Sequence, residues 1–418
     1  MEKPRKVIVI GAGIVGVCTA YWLQSEGHSV TIVDRSAPGA GASFGNAGCI
    51  NGSSVVPMSM PGVVWNVPGY LLNPLGPLAI RWSYLPQIAP WLFRFLLSGT
   101  QRAVPEQARA LRQLSAPAMD LMQTIANDAK LGDLIRKSGH LYAYKSEAGL
   151  SNDRLAWELR AANGVQFQIL NGRDMREIEP LICPDYTRGV FISENGHILD
   201  PRRLVTGIAN RVVQGGGTIV RRDILRIELL ADGRLTVKGE GGDMVADDVV
   251  IATGAFSKHF AAAMGDSIPL DTERGYHLYL LDTDALPTLP ITDAEGKFIV
   301  TPMADGLRLA GTVEFAGLSA GPNWRRADAL LSGAQRLLPH LRRNFDMSAI
   351  RQWMGFRPSL PDSMPVIGRS KRSRNVYYAF GHGHIGMTTA PKTGEIVSAL
   401  ISGRAPSIDI SHFRPDRF

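Results

Sequence analysis

Residues 6–16 read KVIVIGAGIVG, and this stretch decides the fold of the N-terminal part of the chain. The apolar run Lys6–Ile10 predicts a strand, the glycines that follow predict a tight turn, and a helix is predicted from about Ile14 to Glu26. A second predicted strand, from Ser29 to Asp34, comes directly after this helix. These elements begin a β-α-β unit, which is typical of a dinucleotide-binding domain built on a parallel sheet.

The spacing Gly11-x-Gly13-x-x-Gly16 gives each glycine a separate role. The first permits the turn, the second lets the backbone approach a pyrophosphate, and the third lets helix and strand pack closely. The start of the helix then offers free N–H groups to the phosphates. Asp34, at the end of the second strand, is placed to accept a hydrogen bond from an adenosine ribose, and its charge would repel a ribose 2′-phosphate.

The fingerprint by itself fits FAD and NAD equally, so other features must decide between them. The chain has one complete fingerprint, because the Gly215–Gly217 run has neither the spacing nor a preceding strand. The N-terminal position of the motif, the strand end at Ala252–Gly254 and a late glycine turn before a helix favour FAD. In this interpretation the N–H groups of Gly383 to Met387 lie beside the flavin N1–O2 edge, where reduction places negative charge.

The composition is that of a globular protein, with 45% apolar and 20% charged residues in a chain of 418. Three scattered cysteines indicate neither a disulfide framework nor a zinc site, so we expect a reducing compartment and no metal. The net charge of +7 is spread along the chain, and no nucleic-acid-binding motif occurs, so nucleic acid is not an expected partner. No apolar run reaches the ~18 residues of a spanning helix, and the N-terminus does not resemble a secretory signal.

The predicted fold class is α/β: a Rossmann-like FAD-binding domain with an interleaved α+β substrate domain built on an antiparallel sheet. Helical periodicity and alternating strands recur through the middle of the chain, and the two ends are predicted to build one nucleotide-binding unit. The predicted division assigns residues 1–85, 195–260 and 350–418 to the FAD-binding domain. It assigns residues 86–194 and 261–349 to the substrate-binding domain.

Six motifs spread over nearly the whole chain carry a family resemblance: residues 11–16, 41–48, 274–277, 355–362, 365–368 and 381–387. With these motifs the sequence resembles the glycine/D-amino acid oxidase superfamily of FAD proteins, and most of all its D-amino acid dehydrogenase branch. Within that branch, residues 51–60 and 353–358 are similar to those of bacterial glyphosate oxidoreductases.

The resemblance and the fingerprint together predict a set of cofactor-binding residues. They are Gly11, Gly13, Ile14, Val15, Gly16, Asp34, Arg35, Ser43, Asn46, Ala47, Gly48, Ala252, Gly254, Gly383, His384, Ile385, Gly386 and Met387. Relatives that bind flavin covalently carry a cysteine just before the turn equivalent to Pro361-Asp362. Because Ser359 and Leu360 stand there, the resemblance implies noncovalent FAD.

The resemblance implies that Arg357 holds the carboxylate of the substrate, and a planar guanidinium suits this task because it can pair both oxygens. Arg274 is the weaker candidate, since it could instead form an ion pair with Glu273 or Asp271. Neighbouring strand residues point to opposite faces, so one residue of Tyr276 and His277 should enter the pocket. We expect Tyr276 there, with His277 in the core or on the surface, and His384 beside the flavin or the substrate.

The expected activity is FAD-dependent oxidative deamination of an α-amino acid, with hydride transfer from Cα to flavin N5 giving an imine and then a keto acid. By resemblance the substrate is D-configured, or a cyclic imino acid such as hydroxy-D-proline, and a quinone or other acceptor takes the electrons. One alternative is an oxidase that transfers electrons to dioxygen from glycine or from N-substituted glycines, such as sarcosine or glyphosate-like secondary amines. An alternative of another class is a flavin-binding scaffold subunit of a larger dehydrogenase.

The segment from Val63 to Leu97 combines many aromatic and aliphatic residues with two charges, Arg81 and Arg94. Its prolines exclude a spanning helix, but Trp and Tyr beside Arg suit the head-group region of a membrane. The same residues could instead cover the substrate pocket or pack between domains. The expected location is the cytoplasm. The resemblance implies peripheral contact with the inner face of the cytoplasmic membrane. The oligomeric state stays open.

Overall fold

The computed structural model describes residues 3–62, 76, 78–281, 283, 285–341 and 347–418. Its helices are α1 (Ile14–Ser25), α2 (Leu85–Ser98), α3 (Ala103–Ser115), α4 (Ala118–Asp128), α5 (Glu147–Asn152), α6 (Arg154–Ala162), α7 (Gly172–Ile178), α8 (Pro201–Gln214), α9 (Ser257–Ala263), α10 (Arg325–Leu337) and α11 (Gly386–Ile401). Short 3-10 turns connect several of them.

The strands are β1 (Lys6–Ile10), β2 (Ser29–Asp34), β3 (Cys49–Ile50), β4 (Leu78–Ile80), β5 (Ile135–Arg136), β6 (His140–Tyr144), β7 (Gln168–Asn171), β8 (Arg188–Ile192), β9 (Gly196–Ile198), β10 (Thr218–Arg221), β11 (Ile224–Leu229), β12 (Leu235–Gly239), β13 (Met244–Ala246), β14 (Asp248–Ile251), β15 (Asp271–Leu280), β16 (Ile291–Asp293), β17 (Phe298–Met303), β18 (Gly306–Phe315), β19 (Ile350–Ser359), β20 (Val366–Arg369) and β21 (Val376–Phe380).

A six-stranded sheet contains both ends of the chain, in the order β10-β2-β1-β14-β21-β20. The first five strands are parallel and β20 is antiparallel to β21. Val7 and Val9 pack with residues of α1, α8 and α11, whereas Ile8 and Ile10 pack with β11, β12 and α9 on the other face. Since both faces are covered, β1 reads as a continuous apolar run rather than an alternating one.

The second large sheet is mostly antiparallel, in the order β19-β15-β18-β17-β16-β6-β8-β7, with β4 paired to β18. One face packs against α10, where Leu278, Leu309 and Leu330 join the same apolar cluster. The opposite face contacts the loop that follows β2 through hydrogen bonds to its backbone. The loop continues into β3, which belongs to a small sheet in the order β3-β9-β5.

The predicted fold class is confirmed: a Rossmann-like parallel sheet is combined with an interleaved α+β part on an antiparallel sheet. The exact domain boundaries stay a prediction, but several placements in them differ from the structure; strand β4, for example, was assigned to the FAD-binding part and pairs with β18 of the antiparallel sheet. Residues 350–359, assigned to the FAD-binding part, form β19 and pair with β15 along ten residues. Helix α4, assigned to the substrate part, contributes Met119, Met122 and Ile125 to the cluster around α1 and α11.

Among the described residues, no helix has both the length and the apolar character needed to span a bilayer.

Helices α1 and α11 cross at a point where a side chain cannot fit. A Cβ on Gly394 of α11 would lie 2.7 Å from the backbone oxygen of Cys18 in α1. Replacing Gly394 by Ala should therefore push the helices apart and lower the free energy of unfolding by about 1–3 kcal/mol, measured by urea denaturation. Gly321→Ala is the control, since this exposed glycine has open space around it. Equal stabilities of the two variants would contradict the tight crossing.

Candidate active site

The carboxyl ends of four parallel strands bring most of the predicted cofactor residues to one edge of the sheet. Gly11 follows β1, Asp34 ends β2, Ala252 follows β14, and the turn of residues 381–386 follows β21. Ligands of open α/β sheets bind outside this edge. Predicted cofactor-binding residues from separate motifs are therefore neighbours in the fold.

The three fingerprint glycines differ in what requires them. Gly11 has a φ of +112°, and a Cβ there would overlap the backbone of Ala252. A Cβ on Gly16 would overlap the backbone oxygen of Gly11, so α1 can start directly against β1 only with glycine at both positions. Gly13 is different, because a Cβ there would meet only Ser43 Oγ, at 3.4 Å. The protein itself leaves room in front of Gly13, and this space fits a pyrophosphate.

The start of α1 supplies donors for an anion. Ser43 Oγ accepts a hydrogen bond from the amide of Ile14 at 3.0 Å. The amides of Val15 and Gly16 have no acceptor among the described residues. Free N–H groups at a helix N-terminus favour phosphate.

Asp34 and Arg35 lie beside this helix start. The Asp34 carboxylate accepts hydrogen bonds from the amides of Ala12 and Ser36, each at 2.8 Å. These bonds hold the carboxylate at the glycine turn, where a ribose would lie. Arg35 is exposed, and its guanidinium carbon lies 4.2 Å from the ring centroid of Phe256, just after Gly254.

The N-terminus of α11 offers a second set of donors at the same edge. No side chain caps it, and the amides of Gly386 and Met387 have no acceptor in the part of the chain that the structure describes. The preceding turn is held to β19, because the amide of Gly383 donates to the Pro358 carbonyl at 2.7 Å. This arrangement fits the negatively charged edge of a reduced flavin.

The loop that carries Ser43, Asn46, Ala47 and Gly48 is fixed by the antiparallel sheet. Arg308 Nη1 donates to the Asn46 carbonyl at 2.5 Å, and His277 Nδ1 donates to the Gly45 carbonyl at 3.1 Å. The ring of Trp353 stacks on His277, with 5.0 Å between centroids. Three neighbouring strands thus hold one loop of the cofactor edge.

Arg308, Trp353 and His277 were not among the predicted site residues. The one signal for Arg308 is an arginine between Leu307 and Leu309, which places a charge on the face opposite the apolar core. Burial lowers the pKa of Arg308 to about 10 and that of His277 to about 3. His277 is therefore neutral at physiological pH, and its Nδ1 carries the proton donated to Gly45.

The side chain of Arg357, on β19, extends over β15 to the backbone of β18. Its Nη1 and Nη2 donate to the carbonyls of Thr312 and Gly311, at 3.0 and 3.4 Å. Gly275 makes this position available, since a Cβ there would overlap the guanidinium. Among the described residues no carboxylate lies within ion-pair distance of Arg357, and burial lowers its pKa. Its hydrogen bonds go to neutral carbonyls, and the charge of Glu273, its strand partner on β15, acts on it from beyond ion-pair distance. The guanidinium therefore keeps the capacity to pair a carboxylate.

The backbone that supports Arg357 is strained. Thr312 has a φ of +60°, which is a rare conformation for a β-branched residue. It lies where the register between β15 and β18 shifts, so two residues of β18 oppose one of β15. This bulge turns the Thr312 carbonyl towards Arg357. Backbone strain of this kind is concentrated at functional sites.

His384 lies close enough to Arg357 to sense its charge. The side chain is exposed to solvent, yet the surrounding protein, and then the charge of Arg357, lower its pKa to about 4. His384 is thus neutral above about pH 5. The other histidine of this turn, His382, is buried and lies 3.0 Å from Thr393 Oγ1, which gives it a structural role.

Tyr276 lies away from these residues, which corrects the expectation that it enters the site. Its hydroxyl donates to Glu314 at 2.5 Å and accepts from the amide of Asn323, and its ring packs in the cluster under α10. Alternation along β15 puts Tyr276 on the α10 side and His277 on the cofactor side. Arg274 shares the buried side, where it donates to the carbonyls of Gly317 and Gly321 and forms no ion pair with described residues.

Within the described ranges, no group of three or more His, Cys, Asp or Glu residues is arranged to hold a metal ion.

Comparisons with known proteins agree with this geometry. The family model described as "DAO: FAD dependent oxidoreductase" matches residues 6–400. A D-amino-acid oxidase of Bradyrhizobium diazoefficiens is 43% identical over 421 residues, covering 100% of both chains. D-amino acid dehydrogenase 2 of Ralstonia nicotianae is 29% identical and covers 96% of this chain and 98% of its own. The structure of glycine oxidase from Geobacillus kaustophilus has a TM-score of 0.75 at 19% identity, with full coverage of both chains, which shows a common fold.

The open space at Gly13 predicts a variant that folds but does not bind the cofactor. The side chain of Gly13→Val should occupy the space of the pyrophosphate without meeting the protein backbone. We expect loss of the flavin absorbance with an unchanged far-ultraviolet circular dichroism spectrum. Gly321→Val is the control and should stay yellow. Full flavin occupancy in Gly13→Val would show that this glycine does not contact the dinucleotide.

Proposed function

Because the chain belongs to the family of FAD-dependent oxidoreductases, we propose that it oxidises the Cα–N bond of a D-amino acid to an imine, which water hydrolyses to a keto acid. The observation that carries the proposal is Arg357, a guanidinium with no carboxylate of the described residues within ion-pair distance, beside the donor-rich start of α11. The D configuration is supported by the names of relatives at 43% and 29% identity. The resemblance to the glycine/D-amino acid oxidase superfamily is confirmed.

Arg357 supplies binding and orientation in this proposal. A guanidinium that pairs both oxygens of a carboxylate fixes the position of the α-carbon. Its positive charge also disfavours a protonated amine nearby, so the substrate amine loses its proton more readily and its lone pair can assist the oxidation. His384 is neutral, so it can approach the substrate without adding a second cation. Bound FAD supplies the two-electron acceptor for the α-hydrogen.

We propose noncovalent FAD, for two reasons on the chain itself. Ser359 and Leu360 stand where covalently flavinylated relatives carry cysteine. Burial raises the pKa of the Cys49 thiol to about 12 and that of Cys18 still higher, and a thiol is a poor nucleophile when it stays protonated.

For the electron acceptor we propose a quinone reached at a membrane surface. Three apolar side chains of this region are strongly exposed. Trp82, just before α2, is 73% exposed, and Phe93 and Leu97, within α2, are 64% and 59% exposed. The opposite side of α2 is already buried, where Ile88 and Trp91 pack against Phe315. Apolar residues thus face solvent near Arg81 and Arg94, a combination that suits lipid head groups.

Part of the sequence-based membrane prediction falls outside the described residues, namely Trp65, Tyr70, Leu71, Leu72 and Leu75.

A second candidate acceptor is dioxygen, because the relative with 43% identity is named an oxidase. The two acceptors give different products, since an oxidase produces hydrogen peroxide.

Arg357→Ala should leave the flavin bound and weaken capture of the substrate. Loss of one partner of a buried ion pair costs about 3–5 kcal/mol, or on the order of a hundredfold to several-thousandfold in apparent affinity. Arg357→Lys should recover part of the loss, because a point charge does not reproduce the fork. Anaerobic flavin bleaching by a panel of D-amino acids measures the affinity. Arg351→Ala, an exposed arginine on the same strand, is the control; an unchanged affinity in Arg357→Ala would give Arg357 a structural role.

The acceptor proposal predicts activity on membranes with a quinone analogue. We expect the wild-type protein to sediment with membranes at low salt, and the double variant Trp82→Ser/Phe93→Ser to remain in the supernatant. Ile169→Ser, which removes an exposed apolar side chain of β7, is the control and should sediment. Activity found wholly in the supernatant, with rapid peroxide formation, would contradict the proposal and favour the oxidase.

A further inference from the structure

Two carboxylates share the face of the antiparallel sheet on which Arg357 lies, and neither is paired with it. Glu273 is the direct cross-strand partner of Arg357, and Asp271 lies two residues earlier on β15. Opposite charges in such positions normally interact, because their Cβ atoms are about 4.5–5.5 Å apart. Among the described residues, however, no carboxylate lies within ion-pair distance of Arg357. A further contact must therefore keep Glu273 away from the guanidinium.

Glu273 and Arg357 lean in opposite directions along the sheet. Ser359 Oγ donates a hydrogen bond of 2.5 Å to Glu273 Oε1. Because Ser359 lies two residues after Arg357 on β19 and opposite Asp271, this bond draws the acid towards one end of the strand pair. The guanidinium extends the other way, over Gly275, where a Cβ would overlap it. The Ser359 hydroxyl and the missing side chain at Gly275 together separate the acid from the cation.

Asp271 is held by a hydroxyl as well. Both of its carboxylate oxygens accept from Tyr84 Oη, at 2.9 and 3.0 Å, and Oδ1 also accepts from the Thr272 amide at 2.7 Å. Since Asp271 has these donors, the hydroxyl of Ser359 opposite it is left for Glu273. Both acids near Arg357 are thus satisfied by hydroxyl groups and not by the guanidinium.

The bond between Ser359 and Glu273 lies in the protein interior, where its loss would be costly. Glu273 is 5% exposed and Ser359 6%, and this hydroxyl is the one hydrogen-bond donor to the Glu273 carboxyl among the described residues. Burial raises the pKa of Glu273, while the Ser359 hydrogen bond and then the charge of Arg357 act against this rise. A buried carboxyl without a donor is unfavourable. An ion pair with the guanidinium across the strand would remove that cost.

We propose that Ser359 is a positioning residue for substrate binding: its hydroxyl holds Glu273 back from Arg357 and so keeps the guanidinium available to the α-carboxylate of the substrate. Without this hydroxyl, Glu273 competes with the substrate from inside the protein. Ser359 acts through Glu273, so it affects the affinity for the carboxylate and not the rate of hydride transfer. The inference rests on the proposed function, in which Arg357 binds the carboxylate.

The test separates affinity from rate in the FAD-loaded protein. Anaerobic flavin bleaching at increasing D-alanine concentrations gives an apparent Kd and a limiting rate. Ser359→Ala should raise this Kd on the order of 10- to 100-fold, the value of a hydrogen bond to a charged group, and leave the limiting rate unchanged. The double variant Ser359→Ala/Glu273→Gln should restore the wild-type Kd, because no carboxylate remains to compete.

A carboxylate without an amine tests the same contact without chemistry. Calorimetric titration with propionate should show the same increase of Kd in Ser359→Ala and the same recovery in the double variant. Ser370→Ala is the matched control, since Ser370 is a buried serine whose Oγ donates to Asp266 at 2.6 Å, and it should not change either Kd. Should Ser359→Ala fail to fold, Ser359→Val and Ser359→Thr give the comparison at nearly equal shape: the first should lose affinity and the second should keep it.

An unchanged Kd in Ser359→Ala would overturn the inference. A loss of affinity that Glu273→Gln does not restore would overturn it too, because it would show that Ser359 supports the strand without acting through the acid. Both results presuppose bleaching of the wild-type flavin, so they leave the proposed function standing. Absence of bleaching by any D-amino acid in the wild type would instead overturn the proposed function.

Discussion

Every α-helix begins with backbone N–H groups that its own turns cannot satisfy, and this constraint organises the cofactor edge. Gly11 and Gly16 let α1 begin against the end of β1, so its free amides stand at the edge of the parallel sheet. Gly394 lets α11 pack closely on α1, and the free amides of α11 reach the same edge. Two helix ends that would each need a cap are left open side by side, which suits a ligand that carries negative charge at two places.

The antiparallel sheet depends on this edge through one loop. His277, Arg308 and Trp353 come from three strands and hold the loop at Gly45 and Asn46. The two sheets are therefore joined by directional contacts to backbone carbonyls instead of by an apolar interface alone. A rigid join of this kind lets Arg357, on the same face, keep a defined position relative to the start of α11, as precise catalysis requires.

Local signals in the sequence predict the elements well. The strands Lys6–Ile10 and Ser29–Asp34 form as predicted, and the helix predicted from about Ile14 to Glu26 forms over Ile14–Ser25, because apolar periodicity and flanking glycines mark these elements. The partner of a strand carries no such signal. Residues 350–359 were predicted to belong to the FAD-binding part, and no local signal shows that they join the antiparallel sheet as β19.

The site is predicted unevenly for the same reason. Residues in glycine motifs come together at the sheet edge because strand ends determine where they lie. Alternation shows that Tyr276 and His277 face opposite ways, but α10 decides which of them faces the cofactor. Arg308 belongs to no motif, and its contact with Asn46 depends on strand order, which joins residues far apart in the chain.

Arg357 and Arg308 are alike in how the fold treats their charge. Each donates to backbone carbonyls, and neither forms an ion pair among the described residues. The protein has 38 acidic residues, so partners are not scarce, and surface arginines such as Arg154 and Arg173 do find them. A buried charge is costly unless polar groups compensate it, and backbone carbonyls do so for Arg274 and Arg308. Arg357 is half-buried on the cofactor face, so in the proposed function it can bind the carboxylate of an amino acid in addition to its carbonyl partners.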